Sequence, residues 1–362
     1  MSRTSYMVGL DLHKKSISYC IKTPSGRIVE KGRMRSNPDE IDRLAGSIRP
    51  KSVVGMEATM FTGWVYDRFR SHGFEVKVGH PLMLRAIAVG KKNDEIDAET
   101  ICDLLRTGFF PECYIAPREI RSLREVMRLR NMIVMMAVKL KNRIAGTLMG
   151  AGIEYNKEKL HGKRYFVRLM DSLDWLPGET VEILRDMKGG VEFLESLQKK
   201  LRRGLAQDPR LKERIELLMS VPGVGEVTAL TWALEIADPH RFRDSGELIS
   251  YCGLCSRQKS SGGKDMRGPL TKQRNAHLQP VLIEAAKLAP RYNPWLNEIH
   301  ERELARGHRN RATIMVARKL ASCLLSIDKS GRPFKLKNIP EGGKPGQTKS
   351  AEPPVLACLG TA

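Results

Sequence analysis

Four acidic residues near the start of the chain have the type and setting for metal-assisted chemistry. Asp11 interrupts the apolar run Val8-Gly9-Leu10-Asp11-Leu12, where an unpaired charge is costly to bury. Glu57 ends a second apolar run, Val54-Gly55-Met56-Glu57-Ala58-Thr59. Asp94 and Asp97 lie in Lys92-Asn93-Asp94-Glu95-Ile96-Asp97-Ala98, three residues apart and so on one face of a helix. Two strand-end carboxylates and a helical pair can converge on hard divalent cations such as Mg2+ or Mn2+, which prefer oxygen donors. Two such ions activate an attacking oxygen and stabilise a leaving one in phosphodiester cleavage. The plain alternative for Asp94 and Asp97 is that acidic residues at a helix start complement its dipole. Asp103, six residues beyond Asp97, faces elsewhere.

A second chemical segment lies far along the chain. Ser260-Ser261-Gly262-Gly263-Lys264-Asp265-Met266-Arg267-Gly268, followed by Lys272 and Arg274, reads as a hydroxyl-bearing loop among cations. A serine there can attack phosphorus if activated, and the lysines and arginines can stabilise developing charge; a solvated Ser/Gly loop is the bland alternative. Val221-Pro222-Gly223-Val224-Gly225 has the form of a helix-hairpin-helix turn. Gly223 and Gly225 there could expose backbone N–H groups to a phosphate, or could simply join two helices. Cys252 and Cys255 have no second pair at zinc spacing and read as small apolar residues. His13 falls on the same side of a strand as Asp11, and His80 and His277 have no assigned role.

The elements that must hold these residues follow from periodicity. Strands are predicted at Tyr6 to Leu12, Ile17 to Lys22, Arg27 to Met34, Ser52 to Met56 and Phe74 to Gly79. Helices are predicted at Pro38 to Ile48, Gly63 to His72 and Asn93 to Arg106, giving a mixed α/β sheet with helices on its faces. A long helix is predicted from Arg118 to Ala145. Its apolar seam runs through Ile120, Leu123, Met127, Val134 and Ala137, interrupted by Arg130, with Arg121, Arg124 and Arg128 on the other side; it reads either as a core-packing helix with a solvated basic face or as a coiled-coil dimer contact. A loop is expected over Gly146 to Asn156, with helices at Asp244 to Cys252, Leu270 to Leu288 and Arg309 to Ser326, and Trp232 and Trp295 in the core.

Composition narrows the partner. The 362 residues carry a net charge of +21, an excess that a polyanion would tolerate and offset. Between Arg241 and Lys337 there are 20 Lys and Arg against 8 Asp and Glu, whereas Met1 to Ile115 has 18 against 14; the basic footprint is C-terminal. The longest apolar run, Met132 to Val138, is too short to span a membrane, and no secretion signal opens the chain. Seven scattered cysteines fit a reduced cytoplasm.

Taken in order, these residues resemble the DEDD insertion-sequence transposases, a group that includes the Piv-type invertases and the RNA-guided bridge recombinases. Asp11, Glu57 before Ala58-Thr59, Asp94 and Asp97-Ala98 match the four acidic positions. Val221 to Gly225 matches the turn that opens the second conserved region, and Cys252-Gly253-Leu254 with Ser261-Gly262, Arg267-Gly268 and Lys272 matches the serine region. The serine is assigned to Ser261 by the glycine that follows, with Ser260 adjacent. Met60-Phe61, Ser256 and Pro269 depart from the family's pattern.

The resemblance implies an α/β plus α architecture. Residues 1–115 would form a RuvC-like RNase H-fold domain and 116–205 a helical coiled-coil connector. Residues 206–337 would form a mostly helical transposase domain; separately, the composition of 338–362, rich in Gly, Pro, Lys and Ser, predicts a disordered tail. The resemblance also implies transposition by serine-mediated DNA strand exchange, a homodimer or homotetramer with a composite centre, and a structured guide RNA. Competing readings are a RuvC-like endonuclease, which leaves the serine region without purpose, an actin-like ATPase, which lacks its second phosphate loop, and a non-catalytic binding scaffold.

Overall fold

The computed structural model describes residues 5–87, 94–261 and 264–335, with side chains for all of these except 94, 95, 258–261 and 264–267. The predicted tail therefore lies outside the described residues, as does Asn93. Two compact units divide the chain, Met1–Arg118 and Glu119–Ala362.

The first unit is a five-stranded mixed sheet. β1 (Met7–Leu12), β2 (Ser16–Lys22) and β3 (Ile28–Arg35) are joined by short turns and so pair antiparallel. α1 (Pro38–Ser47) then carries the chain to β4 (Val53–Glu57), and α2 (Thr62–Ser71) carries it to β5 (Glu75–Gly79). These helical crossovers let β4 pair parallel to β1, and β5 parallel to β4, in the order β3-β2-β1-β4-β5. Asn37 caps α1 by accepting from the Glu40 N–H at 2.9 Å, with Pro38 at the first helical position. α3 (Pro81–Ile87) and α4 (Asp94–Thr107) follow.

The two sheet faces differ in residue size, and this difference positions the acidic residues. Val8, Leu10, Ile17, Val54, Met56, Val76 and Val78 face α1 and α2, forming a core with Ile41, Leu44, Val65 and Phe69. The opposite face carries Gly9, Cys20 and Gly55 at its centre, and α4 lies on it through Ala98, Ile101, Cys102 and Leu105. A Cβ on Gly9 would collide with the Ala98 carbonyl oxygen, and one on Gly55 would press on Leu105 and Ile101. Glycine at both sites is thus a condition for the close approach of α4.

The second unit is mostly helical. α5 (Arg118–Gly150), which starts at the boundary, α6 (Lys163–Asp171) and α7 (Gly178–Ala206) enclose a core of Ile144, Leu148, Leu160, Phe166, Met170, Leu184 and Val191. A separate core gathers α8 (Pro209–Met219), α9 (Glu226–Ile236), α10 (Ser245–Tyr251), α11 (Leu278–Leu288), α12 (Pro294–Leu304) and α13 (Arg309–Ser330). Every residue of α9 from Thr228 to Ile236 is buried, so it is the central helix. Between α10 and α11, β6 (Ser256–Ser261) and β7 (Lys264–Leu270) pair antiparallel.

Four expectations need correction. α5 runs on to Gly150 instead of ending at Ala145, because Leu148 continues the buried stripe; the helix ends where Gly152 takes φ +71°. Arg124 and Arg128 are not on a solvated face: both turn toward buried Glu235 on α9. Ser256–Ser261 and Lys264–Leu270 pair as antiparallel strands where a loop is expected from Ser260 to Gly268, with Gly262 and Gly263 outside the described residues. These polar strands carry no alternating apolar signal from which to read them. The helix expected from Leu270 begins only at Leu278, where Asn275 Oδ1 accepts from the His277 and Leu278 N–H groups.

Candidate active site

Strand register places two of the carboxylates side by side. The last registered β1–β4 pair is Leu10 with Met56, so Asp11 and Glu57 are the next residues at the C-terminal ends of adjacent parallel strands. Such strands lie about 4.8 Å apart. Side chains alternate along a strand, so Asp11 shares the face of Gly9 and Glu57 that of Gly55; both belong to the face that α4 covers.

The direction of α4 brings the other two positions to the same end. Arg106 lies by Gly26 in the β2–β3 turn, Cys102 donates from Sγ to the Met7 carbonyl at 3.3 Å, and Ala98 lies over Gly9. The helix therefore runs antiparallel to β1, and its first turn heads toward Asp11. Four helical residues rise about 6 Å and two strand residues about 6.6 Å. Asp94, four before Ala98, is thus placed at the level of Asp11, two beyond Gly9. Asp94 and Asp97 also occupy the helical positions one turn before Ala98 and Ile101, the sheet-facing stripe. The Asp97 side chain is half-buried; that of Asp94 lies outside the described residues.

Asp11 is mostly shielded and lies 2.9 Å from Nε2 of His13, the residue just past the end of β1 that the sequence places on its side. The Glu57 carbonyl accepts from Thr62 Oγ1 at 2.9 Å, and the Ala58 N–H donates to Gly79 at 3.0 Å, which fixes the end of β4. The side chains that could hold a cation at this end of the sheet are carboxylates, the chemistry a hard divalent cation requires. Among the described residues no three His, Cys, Asp or Glu side chains group as a metal site, and the Asp94 carboxylate is not among them.

In the second unit, Ser261 pairs with Lys264 and Ser260 with Asp265 at the far end of the hairpin. The side chains of Ser260, Ser261, Lys264 and Arg267 lie outside the described residues. The base of the hairpin is well tied. The Thr271 N–H donates to Cys255 at 3.0 Å and the Asn275 N–H to Tyr251 at 2.9 Å. Lys272 and Arg274 are exposed, with the Arg274 stem packed on Gly253, which takes φ +70°. Gly223 takes φ +93° with its α-carbon against Ala289, so packing alone demands glycine there, while Gly225 is exposed at the start of α9. Cys252 is fully buried, and burial pushes its thiol pKa up to about 12.

Composition and spacing alone did not single out Glu235. It is buried, and Arg128 donates to it twice, at 2.8 and 2.9 Å. Asn275 Nδ2 donates at 2.9 Å, and Arg124 Nε lies 3.8 Å away. A lone glutamate in the apolar run Ala229 to Ile236 is the signal that could have found it.

Two family models match this chain. The DEDD transposase model of the IS110 group covers residues 8–152, and the Transposase IS116/IS110/IS902 family model covers residues 215–301. This chain carries IS110-family transposase domains over residues 8–152 and 215–301, the first of the DEDD type. The transposase for insertion sequence element IS1328 of Yersinia enterocolitica is 25% identical over 342 residues, covering 91% of this chain and 98% of that protein. The pilin gene-inverting protein of Moraxella bovis is 26% identical over 132 residues, 35% of this chain and 40% of that protein. A solved structure of T. thermophilus RuvC in complex with a Holliday junction substrate aligns with 30% of this chain and 99% of its own, at 14% identity and a TM-score of 0.22. No described helix of this transposase is long and apolar enough to cross a membrane.

Proposed function

We propose that this transposase cleaves and rejoins DNA with a RuvC-like acidic centre of Asp11, Glu57, Asp94 and Asp97 and with Ser261 as nucleophile. The observation that carries the reading is the placement of Asp11, Glu57 and the first turn of α4 at one end of the sheet. The four carboxylates hold divalent cations, and Mg2+ or Mn2+, when bound, supplies the positive charge that activates an attacking oxygen and stabilises a leaving one. Ser261 Oγ attacks phosphorus; a serine–phosphate ester forms, the bridging P–O bond to the departing sugar oxygen breaks, and the serine proton passes to a base while that oxygen takes one up. A DNA hydroxyl reverses the step and releases the serine, so the number of phosphodiesters is conserved. Lys264, Arg267, Lys272 and Arg274 stabilise charge on the transferring phosphoryl group. Gly225, with Gly223 shaping its turn, offers backbone N–H groups to a phosphate at the start of α9.

A homodimer or homotetramer brings carboxylates of one copy to the serine of another, and a structured guide RNA encoded by the element selects target and donor by base pairing. The test is incubation with Mg2+, transcripts of the element's flanks and a labelled DNA junction, followed by a search for a protein–DNA adduct that survives denaturation. An adduct lost in Ser261→Ala but kept in Ser260→Ala supports the reading; the opposite pattern moves the nucleophile to Ser260. Cutting without adduct in every sample replaces it with a plain nuclease. Asp11→Ala is expected to abolish strand exchange and leave salt-dependent binding in place.

A further inference from the structure

The sheet face that holds Asp11 continues sideways onto a basic edge. Asp11 pairs with Ser18, and Ser18 with Arg33, so β3, β2 and β1 present these three in one rank on one face. The next rank, nearer the end of the sheet, pairs Ser16 with Arg35. Arg33 reaches toward that end, donating from Nη2 to Ser16 Oγ at 2.7 Å. The β1–β2 turn adds Lys14 and Lys15, and the Ser36 N–H donates to the Lys15 carbonyl at 3.2 Å, which holds the turn beside the end of β3. Arg33, Arg35, Lys14 and Lys15 are all exposed.

The two ends of this face treat their cations differently. Toward the start of β1, Lys22 lies 2.7 Å from Asp103 and Lys31 lies 3.3 Å from Glu99, both carboxylates supplied by α4. Toward the acidic end, no ion pair joins Lys14, Lys15 or Arg35 to a carboxylate among the described residues. Unmatched exposed cations beside a carboxylate cluster suit a polyanion that approaches the cluster without being repelled by it.

We infer that Lys14, Lys15 and Arg35 form a phosphate-binding rail for the DNA strand that enters the acidic site. Two strand spacings separate β3 from β1, about 10 Å. One strand of duplex carries a phosphate every ~3.4 Å of rise, so the rail meets phosphates roughly three nucleotides from the bond at Asp11. Contacts of this kind fix register and carry no sequence information. The inference rests on the acidic site being the cutting site, but its readout does not.

The test is DNA binding without metal, in chelator, by full-length protein titrated with a labelled DNA junction over a range of salt. Lys14→Ala, Lys15→Ala and Arg35→Ala are measured singly and together, with thermal melting to verify folding. Each lost contact should lower the log–log salt slope by about 0.9, and the triple variant by about 2.7. Arg35→Lys, which keeps the charge, should restore most of the loss from Arg35→Ala. A triple variant that melts like the parent and keeps its slope overturns the rail. A slope lowered for a flanking-region RNA transcript but not for DNA overturns the commitment to DNA. If the parent never cuts DNA with Mg2+, the acidic reading fails while the slope change, if seen, still establishes the contact.

Discussion

Glu235 shows how a buried charge is kept charged. Burial by itself raises its carboxyl pKa, but hydrogen bonds from Arg128 and Asn275 and the field of Arg124 outweigh that and hold it below the ordinary value of 4.5. A carboxyl depressed in the folded state stabilises the protein above the ordinary carboxylate range, and that contribution is lost as pH falls through and below it. Urea midpoints taken from about pH 7 down to about pH 3 should therefore fall less steeply in Glu235→Gln than in the parent; parallel curves would remove Glu235 from the acid response. Glu235→Ala removes the buried carboxylate that Arg124 and Arg128 face and should cost about 3 kcal/mol, the lower end for a broken buried pair because Arg128 is partly exposed and keeps Glu125 as a second partner. The pKa of His277 nearby is lowered as well, but there burial is the main cause and it disfavours the charged imidazolium.

Among the elements, α4 has the tightest placement. Its backbone rests on Gly9, and no movement of a flexible side chain can make room for a methyl group there, because the obstacle is the Ala98 carbonyl oxygen. Gly9→Ala should therefore lift the first turn of α4 from the strand ends. The expected result is a loss of about 1–3 kcal/mol in stability together with a loss of strand exchange larger than the unfolded fraction explains. Activity proportional to the folded fraction would show that α4 can shift without harm. The base of the β6–β7 hairpin offers a second case. Asn275 donates to Glu235, accepts from the start of α11 and donates from its backbone to Tyr251, so one residue ties three helices to the hairpin exit.

For the whole molecule, the excess positive charge and the acidic centre predict separable behaviour. A net charge of +21 implies DNA affinity that falls steeply with salt, whether or not metal is present. Chelation should abolish cutting and leave that salt-dependent affinity nearly unchanged; parallel loss of both would mean that metal organises the binding surface rather than the reaction. Filter-binding and cleavage assays on the same preparation, with and without chelator, decide between them.

The sequence by itself determined the alternation of strand and helix, because branched apolar residues at period two and three- to four-residue spacing need no partner to be read. It also exposed Asp11 as a charge in an apolar run, and Trp232 as core. Only the tertiary structure decided that Asp11 and Glu57 are neighbours, since they are 46 positions apart and meet through strand register. The same holds for the placement of α4, whose close approach is permitted by glycines on the sheet face it covers. It holds as well for Arg124 and Arg128, whose spacing reads as a solvated face until Glu235, more than a hundred residues away, is brought beside them. Long-range pairing of charges leaves no period in a sequence, and so it becomes visible only once the chain has folded.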